Sequence, residues 1–485
     1  MGVSWTKEQE KVIELRDRNI LVSAAAGSGK TAVLVQRIIT MLTDSAHPMD
    51  VDQLLVVTFT EAAAAEMKER VRAAIEKELE LHPEDEHLLR QATLIHNAQI
   101  TTIHSFCLSV IRDHFHAIDL DPGFRIAEEG ELKLLEKDVV SELLESRYAE
   151  GSERFTDFSL AYAGGRSDKS MEDLIVRIYK YSRSYPDPQS WLLDCQALYE
   201  ISSEEELEKS AMMERTKKQV SALLRDAVKL NQKALSLALS ENGPYMYEQN
   251  LVSDREILDR LMEEKTYCGL QKAVAAIKFS TLSRKKDATV DPSKQDAVKK
   301  LRDQVKEIVK KVSEKYLSDP VEGILKDLVL CREPLKELIS LVEAFAERFE
   351  ETKRKQNMID FSDMEQYAMR ILNEKKEDGS FVPSPAAKEY QDHYKEIMID
   401  EYQDSNLIQE TILTSIATIH RGRYNIFMVG DVKQSIYRFR LSRPELFMEK
   451  FDSYSTEDSL TQRIDLHKNF RSRAEVLYSV NKIFE

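Results

Sequence analysis

The stretch AAAGSGKT, Ala24 to Thr31, follows the apolar run NILVSA (19–24) and leads into AVLVQRIITML. A strand, a glycine-bearing loop and a helix in this order leave the rest of the chain little choice. Backbone N–H groups of Ala24, Ala25, Ala26, Gly27, Ser28 and Gly29, with the N-terminus of the next helix, can cradle phosphate oxygens. Lys30 can then reach β- and γ-phosphates, and the Thr31 hydroxyl can help hold Mg²⁺. Alanine occupies the place of the pattern's first glycine. The motif needs a partner strand, because phosphate chemistry also calls for a carboxylate that holds the metal and a group that polarises water.

The octet MIDEYQDS (398–405) supplies it. Asp400, Glu401 and Asp404 crowd after the apolar run Ile397-Met398-Ile399, where unpaired charge is costly to bury. Alone, the octet reads equally well as a strand ending in a solvated turn. Beside the phosphate loop it reads as Asp400 for the metal and Glu401 for the attacking water.

The surrounding pattern is α/β. NILVSA, QLLVVTFT (53–60) and AQITTI (98–103) are short apolar runs, each followed by helix-forming sequence, as in a parallel sheet with crossover helices. From about Glu131 to about Glu351, Leu/Glu/Lys-rich segments with three- and four-residue apolar spacing take over. Turn chemistry breaks them at 161–168, 184–190, 240–245 and 288–295. Strand signals return at EIMID (396–400), YNIFMVG (424–430) and RIDL (463–466). The expected organisation is a RecA-like P-loop domain built from 1–130 and 356–485, interrupted by an all-helical insertion at 131–355.

Length and composition fit this. A chain of 485 residues exceeds one ordinary core, and its formal charge of −16 argues against a surface that binds nucleic acid everywhere. A local groove remains open, since 14 Lys/Arg stand against 6 Asp/Glu between Lys265 and Lys315. No apolar run is long enough for a membrane, and no signal core opens the chain. Cys107, Cys195, Cys268 and Cys331 are scattered, without metal or redox spacing, which suits a reducing, cytoplasmic compartment.

Eight motifs then occur in order: TKEQ ending at Gln9, AAAGSGKT, TFTEAAAAEMKERV (58–71), TIHSF (102–106), IDFSDM (359–364), DEYQDSNLIQ (400–409), VGDVKQSIYRFR (429–440) and NFRS (469–472). The series resembles that of superfamily one DNA helicases of the UvrD and RecB type, and most of all the AddA-type helicase–nuclease subunits. The segment GGRSDKSMEDLIVRIYKYSRSYPDPQSWL (164–192) also looks AddA-like. Ala32 departs from UvrD-like chains, which place arginine there, and agrees with AddA-like ones. The resemblance covers essentially the whole chain.

The resemblance implies ATP and Mg²⁺ as cofactors and specific roles for residues. Gln9 would bond the adenine and Phe470 stack on it, Gln434 would sense the γ-phosphate, and Arg471 would act as an arginine finger. A planar amide can read an adenine edge, and a guanidinium stabilises charge on a transferring phosphoryl group. Thr58, Phe59, Thr60, Thr102, His104, Tyr437, Phe439 and Arg440 match positions that meet single-stranded DNA. Phe59 and Tyr437 could instead pack in the core, and His104 could cap a helix. The basic stretch 265–315 falls where related helicases lean over duplex DNA.

The resemblance further implies a role in break repair and recombination, a single-strand/duplex junction as substrate, and an AddB-like partner in a heterodimer. A UvrD-like stand-alone helicase, a RecB-like subunit, or a nucleotide-gated DNA-binding module without motor activity are the alternatives. Motifs of a second RecA-like domain and of a nuclease domain do not follow NFRS. Residues 1–485 are therefore expected to read as the N-terminal part of a larger polypeptide and to hydrolyse ATP slowly.

Overall fold

A computed structural model describes the chain except residues 1–3, 45, 164–166, 286, 439–440 and 485. It divides into two compact units, Met1–Ser146 with Ser167–Trp191 and Val342–Glu485, and Arg147–Arg166 with Leu192–Leu341.

The first unit is built on six parallel strands: β1 (Asn19–Ala24), β2 (Leu54–Thr58), β3 (Gln99–Thr102), β4 (Glu396–Ile399), β5 (Ile426–Gly430) and β6 (Thr461–Leu466), in the spatial order β6-β1-β5-β4-β2-β3. Strand residues alternate between two apolar layers. Leu21, Leu55, Val57, Ile397, Ile399, Ile426 and Met428 join one core. Ile20, Val22, Leu54, Val56, Met398, Phe427 and Val429 join the other. Covering both faces explains why these strands are continuously apolar rather than alternating. Each such side chain contributes about 2 kcal/mol on burial.

A buried ion pair fixes the foot of the sheet. Arg37, on the helix Lys30–Leu42 that follows β1, donates from Nε to Glu396 Oε1 of β4 at 2.7 Å and from Nη1 to the Val12 carbonyl at 2.6 Å. Its guanidinium also lies 4.7 Å from the Phe427 ring centroid on β5.

The expected boundaries of the insertion at 131 and 355 do not match the units. Residues 131–146, 167–191 and 342–355 pack with the sheet-bearing unit. The reason is a buried cluster of two cations and two carboxylates. Arg183 reaches Asp363 at 2.9 Å, and Lys353 reaches Asp360 at 2.7 Å and Asp363 at 2.5 Å. Tyr179 meets the rings of Phe345 and Phe349 edge-on at 5.1 and 5.9 Å. Two short strand pairs that periodicity did not suggest, Arg125–Ile126 with Met358–Ile359 and Asn373–Lys375 with Phe381–Pro383, also belong to this unit.

The second unit is all-helical among its described residues. Its core gathers Met213, Leu224, Leu258, Leu270, Val305 and Val309 from the helices Ala211–Ala238, Glu248–Glu263, Tyr267–Ala275 and Pro292–Tyr316. One of the fourteen cations of the basic stretch is internal. Arg302 is buried and donates to both Asp254 oxygens at 2.5 and 3.0 Å and to the Ser280 carbonyl at 2.7 Å. Asp254→Ala should strand this guanidinium in the core, lowering stability to urea unfolding by about 3 kcal/mol. A loss below about 1 kcal/mol would show that water reaches the pair.

Candidate nucleotide and nucleic-acid site

The phosphate loop turns out of β1 on two left-handed glycines, Gly27 at φ +75° and Gly29 at φ +84°, with Gly29 as N-cap of the next helix. Side chains bear such φ values poorly. The segment Asn469–Ser472 folds onto the loop. Asn469 Nδ2 donates to the Ala26 carbonyl at 2.8 Å, and the Phe470 amide donates to the Gly27 carbonyl at 2.8 Å. A Cβ at Gly27 would lie 2.8 Å from Asn469 Nδ2 and 2.9 Å from Arg471 Cβ.

Gln9 lies in the helix Lys7–Glu14, capped by Thr6. Its Oε1 accepts from the Thr6 amide at 3.0 Å and its Nε2 donates to the Ser28 carbonyl at 3.1 Å. One amide proton and one lone pair remain for a ligand. A cavity of about 110 Å³ is lined by Gln9, Ser28, Lys468 and Phe470. The Phe470 ring is exposed, and Ser28 Oγ is buried with no hydrogen-bond partner among the described residues.

β4 delivers the acids to the same edge of the sheet. Asp400 accepts from the Glu401 amide at 3.0 Å, and Glu401 takes a left-handed conformation at φ +51°. Lys30 Nζ lies 3.4 Å from Glu401 Oε2. Gln403 Nε2 donates to the same oxygen at 2.7 Å. Burial, and then the neighbouring charge of Glu401, push the Asp400 carboxyl up to about 6, and the same two causes raise Asp404 to about 6. Negative charge thus exceeds what Lys30 balances. After β5, Gln434 Nε2 donates to Asp431 Oδ2 at 2.8 Å. Lys30, Asp400, Glu401 and Gln434 therefore sit at one carboxyl edge, whereas Arg471 is exposed at the surface beside the loop.

A cavity of about 320 Å³ extends from Asp400, Glu401 and Asp404 to Phe59, His104 and Phe361. The Phe59 and Tyr437 rings lie 4.4 Å apart at 33°. His104 Nε2 is 3.4 Å from Glu365 Oε1, and its ring meets Phe361 edge-on at 5.4 Å. The histidine therefore does not cap its helix; Thr102 does, accepting from the Ser105 amide at 3.3 Å. Thr102 also donates to Glu61 Oε1 at 2.7 Å, Thr60 caps the helix Glu61–Leu81, and the buried Thr58 donates to the Thr60 carbonyl at 3.1 Å. All three hydroxyls thus already serve local structure. Phe439 and Arg440, with Lys286 of the basic stretch and Gly164–Arg166 of the AddA-like segment, lie outside the described residues.

Sequence reading missed Phe361, Glu365, Gln403, Gly430 and Asn469. Only Gln403 carried a signal, an amide set among three acids.

Residues 5–455 match the UvrD/REP helicase N-terminal domain. The chain belongs to that family. Within it, the chain is 50% identical over 487 residues to the AddA subunit of an ATP-dependent helicase/nuclease from Lachnoclostridium phytofermentans, covering 99% of this chain and 35% of that protein. Proteins of the same name from Clostridium beijerinckii (40% identical, 100% of this chain, 39% of theirs) and Bacillus velezensis (41% identical, 99% and 39%) are similar. The chain spans somewhat over a third of these relatives. The resemblance to AddA-type chains is thereby borne out, as is the mixed α/β fold with its six-stranded parallel sheet. UvrD/REP-type domains use ATP, and a phosphate loop at the carboxyl edge of this sheet is where such use calls for it. No described helix is long and apolar enough to cross a membrane.

The loop of this UvrD/REP-type domain makes a stability test possible. Gly422 also has a positive φ, +73°, but a Cβ there would meet nothing within 4 Å. Gly422→Ala should cost about 1 kcal/mol from backbone strain alone, and Gly27→Ala at least about 1 kcal/mol more in the same denaturation assay. Equal losses would mean that Asn469–Ser472 does not rest on the loop.

Proposed function

We propose that this chain is the first motor domain, with its helical insertion, of an ATP-dependent DNA helicase of the helicase–nuclease type, processing DNA ends in double-strand break repair and recombination. The observation that carries the reading is the meeting of Lys30, Asp400, Glu401 and Gln434 at one sheet edge, with the Phe59–Tyr437 pair along the adjoining cavity. Lys30 binds the β- and γ-phosphates, and the loop amides from Ala24 to Thr31 cradle them. Glu401 accepts the proton of the attacking water, Gln434 contacts the γ-phosphate, and Arg471 stabilises the charge spread over its oxygens. Gln9 and Phe470 enclose the adenine in the cavity they line.

Mg²⁺ fits the excess charge at Asp400 and Glu401. Thr31 and Asp400 would hold it, two protein ligands being usual for this ion. Bound there, it would neutralise phosphate charge. Single-stranded DNA lies on Phe59 and Tyr437, a stacking surface tolerant of sequence, with Thr58, Thr60, Thr102, His104, Phe439 and Arg440 near the backbone. The exposed Lys300, Lys310, Lys311 and Lys315 of the second unit contact duplex at the junction. An AddB-like protein completes a cytoplasmic heterodimer.

Glu401→Gln in the full-length protein should keep ATP binding but lower turnover about a hundredfold, or roughly 3 kcal/mol in the barrier. Near-normal turnover would overturn the assignment. Phe59→Ala should weaken single-strand affinity by roughly 1 to 3 kcal/mol, similarly for different sequences, in a fluorescence anisotropy titration. Unchanged affinity with a lowered melting temperature would make the ring a core residue.

A further inference from the structure

Gln403 is buried between two motifs that the sequence separates by nearly thirty residues. Its Oε1 accepts from the Asp431 amide, just after β5, at 2.9 Å. Its Nε2 donates to Glu401 Oε2 at 2.7 Å and to Asp404 Oδ2 at 3.3 Å. Chemistry fixes this orientation. A flipped amide would turn its oxygen toward two carboxylates and its NH₂ toward a backbone N–H. The neighbouring glycine is fixed by the same contact. Gly430 has no left-handed backbone, yet a Cβ there would sit 2.4 Å from Gln403 Oε1 and 3.1 Å from Phe447 Cε2. Space for the amide oxygen, not backbone freedom, is what requires glycine.

The bonds form a chain: Lys30 to Glu401, Glu401 to Gln403, Gln403 to the Asp431 amide, and the Asp431 carboxylate to Gln434. Glu401 Oε2 is shared by Lys30 and Gln403. A lysine drawn to the phosphates of a nucleotide leaves Gln403 as the donor that still holds this carboxylate. We infer that Gln403, seated against Gly430, is the positioning residue that keeps Glu401 aimed at the attacking water and ties it to the Asp431–Gln434 turn. Gln403 does not touch the nucleotide. It acts through Glu401, so its loss affects the chemical step rather than binding. The inference rests on the role proposed for Glu401.

The test is steady-state ATP hydrolysis by the full-length protein with Mg²⁺ and saturating single-stranded DNA. Gln403→Leu, Gln403→Glu and Gly430→Ala are compared with Glu401→Gln. Gln403→Leu removes both bonds. Gln403→Glu keeps size and acceptor, so it preserves packing where leucine does not, but an ionised carboxylate cannot donate to Glu401. Gly430→Ala displaces the amide from the other side. All three should lower kcat by about 10- to 100-fold and move the KM for ATP by less than about threefold. Normal kcat in Gln403→Glu and Gly430→Ala, beside an inactive Glu401→Gln, would overturn the positioning role and leave the reading of Glu401 standing. A KM rising in step with the loss of kcat in all three would make Gln403 a packing residue and overturn the role as well. Normal turnover by Glu401→Gln would overturn the proposed role of Glu401, and the positioning role with it.

Discussion

Parallel pairing of β1 with β5 and of β4 with β2 brings together segments that lie far apart in the sequence. Lys30 and Glu401 are separated by 371 positions, yet they leave the same edge of the sheet and meet at 3.4 Å. Parallel strands all point their carboxyl ends one way, so every loop that leaves that edge opens into one crevice. The phosphate loop after β1, the acids after β4 and the glutamine turn after β5 are three such loops. Remove the pairing and the motifs are only short polar strings.

Electrostatics make the edge selective. Asp400 and Asp404 are raised to about 6 by burial and by Glu401, which leaves the pocket short of positive charge. A protein that sought only stability would replace such acids, since burying like charges together is costly. Here the imbalance suits a cation and a polyanion arriving together. Lys30 stands in for part of that charge by lying against Glu401, and a nucleotide would redistribute it. The bond from Gln403 to the Asp431 amide lets the redistribution reach Gln434 and, three residues on, Tyr437.

The strands were legible because both faces are covered: LLVVT, EIMI and IFMVG are apolar without interruption and leave no other placement. Their spatial order was not legible, since nothing in a strand's composition names its neighbour. The unit boundaries were misread for a different reason. Arg183, Lys353, Asp360 and Asp363 look like solvated helix faces in sequence, and only their mutual pairing shows that they are buried. The threonines Thr58, Thr60 and Thr102 show the reverse limit. Sequence marked them for a ligand, while the structure has each already bonded within its own turn or cap. Gln403 and Gly430 have no periodic signature at all, because their meaning lies in one contact across the sheet edge.

The central claim is that one sheet edge couples a nucleotide to single-stranded DNA. Coupling of two ligands is reciprocal: whatever factor the nucleotide applies to DNA affinity, DNA must apply to nucleotide affinity. Anisotropy titrations of a labelled single-stranded oligonucleotide, with and without a non-hydrolysable ATP analogue and Mg²⁺, measure that factor directly. The account predicts at least about a fivefold change in DNA affinity, matched by the same change in analogue affinity when DNA is saturating. Identical DNA affinities in the two conditions, with the analogue shown to be bound, would contradict it.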